Sequence, residues 1–396
     1  MKKKTKRVLR IILVVILAII VVSCAVFAYF FPVRLYIHTL KVRTDEIVEA
    51  EVIFDDTIHF KNNGQHIVFK AELNGKPDSL IYDTGDNSII TLMYTPGTRP
   101  KEMKFYRVRV TGVEKKSSIK ITTLYAKVGT EKIYNTEIGQ AVLFPERPLC
   151  ENYTISDHHL LGLESLNIGH EFLDFTNSEI RFVNYKEPID TTGFVPVKCT
   201  YEQRVLWVYP QINGVEYKCI FDTGNGRAGF VLKGEQRVEN PKTNDYVYEG
   251  SYGTGINGQT TKQRFVDAPN ERFSIAEADK ETDIIYVKNL PHNNMGLKAI
   301  SQFDWIISMV SDPPKVYAKP HVNNEVKPFH AVRYKLIVDN GKLKILTRLI
   351  DGSETFKVGD RIVSVNGEKI TEENICHYYD LLSESDDWSG FDIKVK

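Results

Sequence analysis

Short apolar runs separated by polar turns dominate the chain, and one segment breaks the pattern. In Phe69-Lys70-Ala71-Glu72-Leu73 apolar and polar residues alternate, the period of a strand with one buried face. Asn74-Gly75 follows and leads into Leu80-Ile81-Tyr82, so this stretch predicts strand, tight turn, strand. Val208-Tyr209-Pro210-Gln211-Ile212 leads through Asn213-Gly214 into Cys219-Ile220-Phe221 in the same way. The exception is the N-terminus, where the 21 positions from Ile11 to Phe31 form one apolar run. As a helix that run would be roughly 31 Å long, the thickness of a bilayer core.

The two hairpin patterns end on the same three residues. Asp83-Thr84-Gly85 closes the first and Asp222-Thr223-Gly224 the second, 139 positions later. Downstream, Leu160-Leu161-Gly162-Leu163 has its counterpart in Asn294-Met295-Gly296-Leu297, 134 positions later. Each of these heads a segment that reads as a short helix and a closing hairpin. Such self-similarity predicts two homologous β-rich lobes meeting about a pseudo-twofold axis. Beyond a Pro-, Asn- and Lys-containing linker, 334–338, 343–346, 361–365 and 391–395 read as strands. A short helix starting at Thr371 would turn Ile375, Tyr378, Tyr379 and Leu382 to one side. The predicted boundaries are 1–32 for a basic tip and membrane anchor, 33–57 for a juxtamembrane segment, and 58–188 and 189–320 for the two lobes. A linker at 321–328 and a small α+β domain at 329–396 complete the chain.

Charge sets the orientation of the anchor. Lys2, Lys3, Lys4, Lys6, Arg7 and Arg10 precede the apolar run, so the bulk of the chain should lie on the extracytoplasmic side, periplasmic or cell-surface. Cys24, after Val21-Val22-Ser23, also fits a lipoprotein processing site, but the apolar residues that follow it favour a spanning helix. The formal net charge is zero and there is no later basic block, which removes the electrostatic case for a nucleic-acid partner. The five cysteines lack metal-site spacing; Cys150, Cys199, Cys219 and Cys376 could oxidise outside the cell, but no pairing follows from the sequence, and buried free thiols are the preferred reading. His158-His159 is no metal pair either, because adjacent strand residues point to opposite faces. No metal and no cofactor is expected.

The repeated acidic turn is where chemistry enters. Hydrolysing a peptide bond without a metal or a covalent nucleophile needs a base for the attacking water and an acid for the leaving amine. Two carboxylates about 3 Å apart cannot both ionise, so one keeps a proton while the other takes one; aspartic proteases are the standard example. Asp83 and Asp222 are the candidate catalytic pair. Gly85 and Gly224 let the backbone turn and approach a carboxylate, while the Thr84 and Thr223 hydroxyls can donate across the twofold to the opposite lobe. A single Asp-Thr-Gly would read as an ordinary turn at a strand end; two in matching contexts point to a shared site.

These motifs, with Leu160-Leu161-Gly162 and Met295-Gly296, resemble the retropepsin-like and pepsin-like aspartyl proteases over roughly residues 60–319. In outline the chain is most similar to bacterial two-repeat aspartyl proteases that end in a PDZ domain. The resemblance implies an all-β, bilobal, pseudo-twofold acid-protease fold acting as an endopeptidase on an extended peptide or protein substrate. With both half-sites in one chain, a monomer suffices. It also implies a flap: Tyr252-Gly253-Thr254-Gly255 looks like that of pepsins, and Gly112 stands at a similar distance after the first motif. Val358-Gly359-Asp360-Arg361-Ile362-Val363-Ser364-Val365-Asn366-Gly367 is similar to a PDZ signature, implying a peptide groove between Lys335–Val338 and the helix near Ile375. The usual glycine-containing carboxylate loop is replaced by Val332-Arg333-Tyr334-Lys335, so packing on the lobes competes with peptide capture. Asp86 and Asn225 stand where the family carries Ser, Thr or Ala, and Asn294 stands at an apolar position. Those departures leave two further readings: a catalytically silent peptide-binding relative, and an envelope scaffold acting through its PDZ-like domain.

Overall fold

The computed structural model describes residues 13–27, 57–73, 76–86, 90–92, 106–111, 116–128, 134–143, 150, 159–163, 169–183, 187–202, 205–255, 258–309, 311–321, 331–352, 355–385 and 387–396. Strands make up most of the described chain beyond residue 57, as the alternating pattern predicts. The first copy of the repeat comprises β1 (Thr57–Asn62), β2 (Ile67–Leu73), β3 (Lys76–Asp83), β4 (Ile90–Leu92), β5 (Tyr106–Thr111), β6 (Lys116–Val128), β7 (Tyr134–Leu143), β8 (His159–Gly162), β9 (His170–Asp174) and β10 (Glu179–Val183). The second comprises β11 (Val195–Val197), β12 (Cys199–Glu202), β13 (Val205–Val208), β14 (Gln211–Ile212), β15 (Val215–Glu216), β16 (Cys219–Phe221) and β17 (Phe230–Lys233). It continues through α2 (Glu235–Glu239), β18 (Tyr246–Gly250), β19 (Thr254–Gly255), β20 (Gly258–Gln259), β21 (Gln263–Ile275), β22 (Ala278–Val287), β23 (Asn293–Met295), α3 (Leu297–Ile300), β24 (Phe303–Ser308) and β25 (Lys315–Pro320).

The two copies trace the same path. Strands run in the order β1-β2-β3-β8-β4-β7-β6-β5 in the first and β12-β13-β16-β23-β17-β22-β21-β18 in the second. In both, the strand that ends on the acidic motif lies parallel to the strand of the glycine segment: β3 beside β8, with Asp83 opposite Gly162, and β16 beside β23. The predicted Asn-Gly turns close as expected. Asn213 and Gly214 both take positive φ between Ile212 and Val215, the backbone of a two-residue hairpin. Asn74-Gly75 lies outside the described residues, but Leu73 opposite Lys76 brackets a connection of the same length.

A six-strand arrangement, β11-β25-β24-β9-β10-β1, carries the chain from one copy to the other. At its centre β9 and β24 pair antiparallel, with Phe172 opposite Ile306. Those two residues stand 134 positions apart, so the pseudo-twofold relating the copies passes through this pair. One apolar core runs across it, taking in Leu80, Tyr82 and Leu173 from the first copy and Phe221, Phe230, Phe273 and Trp305 from the second. Each such aromatic, fully buried, contributes about 1.5–3 kcal/mol.

The C-terminal residues form β26 (Tyr334–Asp339), β27 (Lys342–Leu349), β28 (Ile362–Val365), β29 (Glu368–Lys369), α4 (Ile375–Ser383) and β30 (Ile393–Val395) around their own core of Tyr334, Leu336, Ile345, Val365, Ile375, Leu382 and Trp388. The helix begins at Ile375 rather than Thr371, because Thr371 enters a turn in which its N–H donates to Asn374 Oδ1 at 2.7 Å. This unit does not stand apart, since β27 pairs antiparallel with β18 of the second copy. Most of the linker predicted at 321–328 lies outside the described residues.

At the N-terminus, α1 (13–27) carries exposed apolar side chains along its length, Leu13, Ile19 and Phe27 among them. Among the described residues no helix is long and apolar enough to cross a membrane; the ends of the predicted 11–31 run fall outside them.

The cysteines depart from the sequence reading. Cys150 and Cys376 are joined in a disulfide across 226 positions, tying the segment between β7 and β8 to α4; Cys24, Cys199 and Cys219 are free thiols. The pairing depends on two Cα atoms lying 5.3 Å apart, a proximity that no local pattern encodes. Alkylating the denatured, unreduced chain should modify three cysteines and, after reduction, all five; five labels without reduction would show the bridge absent.

Candidate active site

Each acidic turn emerges from a strand whose side chains are locked in the core: Leu80, Ile81 and Tyr82 before Asp83, Cys219 and Phe221 before Asp222. Burial on both sides fixes the strand ends, and the turns then hold one another. Thr84 N–H donates to Thr223 Oγ1 at 3.0 Å, and Thr223 N–H donates to Thr84 Oγ1 at 3.0 Å. Thr84 Oγ1 donates to Phe221 O and Thr223 Oγ1 to Tyr82 O, both at 2.7 Å. All four bonds are buried and each has its mirror image. The predicted donation by both threonines across the twofold is therefore what the geometry holds, together with a reciprocal acceptance that the sequence reading had not included.

The glycines are required by the approach itself. A Cβ on Gly85 would sit 2.5 Å from Asp222 Cγ, and one on Gly224 would run into the Asp83 carboxyl. Each carboxylate is also held by its own turn. Gly85 N–H donates to Asp83 Oδ1 at 3.0 Å and Asp86 N–H at 3.2 Å; Gly224 and Asn225 serve Asp222 Oδ1 at 3.0 and 3.1 Å. Behind them, Leu163 N–H donates to Asp86 O at 2.6 Å and Leu297 N–H to Asn225 O at 2.8 Å. The glycine segments thus brace the turns from below.

The structure brings the Asp83 and Asp222 carboxyl groups together, each lying against the glycine of the opposite turn and each influencing the other's ionisation. Both residues keep partial solvent access, as the floor of a cleft does. Their environments differ. Burial and the facing Asp222 carboxyl push Asp83 well above the ordinary carboxylate range, and Asp86 adds to the push. Burial raises Asp222 as well, but Asn294, Asp83 and the turn N–H groups pull it back. Asn294 Nδ2 donates to Asp222 Oδ2, while Asn225 Nδ2 donates to Asn294 Oδ1 at 2.7 Å. The upward push is thus stronger on Asp83 than on Asp222, the direction of a pair that shares one proton. Asn294, an anomaly in the sequence pattern, is the residue that makes the pair unequal. Its counterpart in the first copy is Leu160, and this polar-for-apolar break in the repeat was the signal available.

A second asymmetry lies one layer down. Tyr82 O–H donates to Glu171 Oε2 at 2.6 Å, both fully buried. The corresponding residues of the second copy, Phe221 and Trp305, meet edge to face with ring centroids 4.9 Å apart. One strand end is thus braced by a polar contact and the other by an aromatic one. Burial pushes the Glu171 carboxyl up to about 8 despite the Tyr82 bond.

The predicted flap residues fare differently. Tyr252 is buried, with its ring against Phe265 at 6.4 Å and among Ala228, Val231 and Tyr248, while Gly253 borders open space. Arg227, five positions after Asp222, donates through Nη1 to Tyr252 O. That contact links the hairpin base to the second acidic turn. Gly112 lies outside the described residues. His159 faces Asp78 at 3.6 Å, and among the described residues no group of three or more His, Cys, Asp and Glu could hold a metal ion. No protein-family model matches the chain, and no curated protein does.

Two measurements test this arrangement. Thr84→Val removes a donor and an acceptor and leaves Phe221 O and Thr223 N–H buried without partners, so denaturant titration should show a loss of about 2–4 kcal/mol. A cost below about 0.5 kcal/mol would mean that the turns are not locked through Thr84. For Glu171 the native state binds a proton that the unfolded chain releases near its ordinary value of 4.5, so stability is full below that pH and falls until about pH 8. Between pH 5 and pH 8 this term amounts to roughly 3 kcal/mol. Glu171→Gln keeps an acceptor for Tyr82 but cannot ionise, so its stability should fall less over that interval. An unchanged pH slope would show Glu171 already ionised in the native chain.

Proposed function

We propose that the chain is an aspartic endopeptidase of the bilobal acid-protease type, in which a water held between Asp83 and Asp222 attacks the peptide carbonyl. The observation that carries this reading is the approach of two carboxyl groups, each against the glycine of the opposite turn, on reciprocally locked turns. In this mechanism Asp222 is the base that takes a proton from water. Asp83, protonated, donates to the carbonyl oxygen as it becomes tetrahedral, and the proton gained by Asp222 passes to the leaving nitrogen. No covalent intermediate forms. The mechanism requires one proton on the pair, so activity is bell-shaped in pH. By raising Asp83, Asp86 moves the alkaline limb of the pair upward and carries the working pH toward neutrality.

The hairpin at 251–260 serves as one wall over an extended peptide. The C-terminal unit is PDZ-like, with α4 against β26 as the sides of its groove. We place the site outside the cytoplasm on an N-terminal anchor. The basic residues before the 11–31 run, the exposed apolar face of α1 and the Cys150–Cys376 bridge support that location.

Cleavage of a mixed peptide library by the full-length chain in detergent is the direct test. Asp83→Asn and Asp222→Asn should each lower kcat by about 10³-fold or more, since neither carboxylate can do both proton transfers. Asn294→Leu should retain turnover but shift the lower limb of the pH profile up by about one unit, because Asp222 loses a donor to its ionised form. Full activity in either Asp→Asn variant would remove the shared dyad. A peptide bound in the cleft but never cut would make the protein a binding relative.

A further inference from the structure

The strand pairing that joins the C-terminal domain to the second lobe leads directly into the candidate cleft wall. On β27, Leu349, Arg348 and Thr347 lie opposite Tyr248, Glu249 and Gly250 of β18. Arg348 reinforces the pairing through Nε and Nη2 to Glu249 Oε2, at 2.9 and 2.7 Å. The contact then continues past the strand. Ser251 N–H donates to Leu346 O at 3.3 Å, and Thr347 Oγ1 donates to Ser251 O at 2.7 Å, in a setting where Ser251 and Thr347 are both buried. Gly250 has φ +132°, and a Cβ there would meet Leu346 O, so the two backbones approach as closely as glycine allows.

Ser251 is also the staple at the base of the hairpin. Its Oγ donates to Gly253 O at 2.8 Å and lies 2.8 Å from Thr260 Oγ1, and Thr260 N–H donates to Gly253 O at 3.0 Å. The next residue, Tyr252, accepts from Arg227 of the second acidic turn through its carbonyl. Residues 251 and 252 are therefore held between the C-terminal domain on one side and the turn bearing Asp222 on the other. Lys335 of β26 reaches the same region, 5.7 Å from the Tyr248 ring and within the charged surroundings of Arg227, Asp267, Lys298 and Asp283. The Cys150–Cys376 bridge ties the domain to the first copy as well.

We propose that Thr347 is a positioning residue for the cleft: through Ser251 it sets the hairpin 251–260 against the second acidic turn, making the C-terminal domain part of the cleft wall. The kinetic consequence rests on the peptidase reading above; the positional one does not. A domain that joined the lobes only through a linker would leave the hairpin's protection independent of Thr347. Here a buried hydroxyl of one domain is the donor to the residue from which the other domain's hairpin springs.

The test uses the full-length chain with Thr347→Val, Thr347→Ser and Gly250→Ala. Valine keeps the shape but loses the donor, serine restores the donor, and alanine at 250 wedges the strands apart from the opposite side. In Thr347→Val, hydrogen exchange at the 251–260 amides should accelerate about tenfold or more, with β21 and α4 unchanged, and Thr347→Ser should return it to the wild-type rate. Gly250→Ala should give the same local signature as valine. With a cleaved peptide, KM should rise about five- to tenfold in the valine variant while kcat stays within about twofold, the pattern of lost uniform binding. Unchanged exchange at 251–260, failure of serine to rescue, or loss of protection throughout the C-terminal domain would overturn the positioning role. So would equal loss of kcat and kcat/KM. If the wild-type chain cleaves nothing, the peptidase reading fails, and the exchange arm still decides whether Thr347 positions the hairpin.

Discussion

Two carboxyl groups brought into contact repel one another as soon as both ionise, and a fold that holds them together must supply the constraint from elsewhere. Here that constraint is the exchange of four buried hydrogen bonds between Thr84 and Thr223 and the carbonyls of Phe221 and Tyr82. Each bond is worth only about a kilocalorie per mole net, but a broken one leaves a buried donor or acceptor unpaired. The lock is therefore stiff, because a partial opening loses more than the bonds it breaks. Everything that makes the site chemically unusual follows. The glycines must lack a Cβ because the opposite carboxyl occupies its space, and burial beside the Asp222 carboxyl pushes the first aspartate well above the ordinary carboxylate range.

Symmetry brings the two turns together, and departures from symmetry give them different work. The repeat carries Leu160 against Asn294, Asp86 against Asn225, and Tyr82–Glu171 against Phe221–Trp305. In each case the second copy has what an Asp222 anion needs, a donor beside it or an uncharged brace beneath it. The first copy has what a protonated Asp83 tolerates: extra negative charge at Asp86 and a buried acid behind Tyr82. A perfectly repeated sequence would leave the proton with no preferred side.

What could be read from the sequence was the chemistry that is local. Asn213-Gly214 announces its turn because both residues accept positive φ. Asp-Thr-Gly announces a strand end, and its recurrence at a fixed offset announces two of them facing one another. The contacts that escaped are those whose partners are far apart in the chain. Glu171 lies 89 positions from Tyr82, Cys376 lies 226 from Cys150, and Thr347 lies 96 from Ser251. Nothing in a short window distinguishes a buried Glu on a strand from an exposed one, or a bridging Cys from a free one. Asn294 was visible as a misfit, but its meaning needed the neighbouring strand, since its target on Asp222 lies 72 positions back.

The same reasoning bears on why a small C-terminal domain should be attached to such a site at all. If the chain is the peptidase proposed above, a hairpin bounding its cleft has to admit substrate and still hold one position relative to Asp83 and Asp222. A hairpin anchored by its own two strands returns only as accurately as those strands are stiff. Pairing β18 with β27 places a second domain's core behind the hairpin base, with Thr347 and Arg348 fixing its register. Arg227 then sets that base relative to Asp222 from the other side. Gly253, next in the chain after Tyr252, has open space where a Cβ would stand. For the proposed peptidase, a hairpin base fixed from both sides is what alignment of a substrate against Asp222 would require.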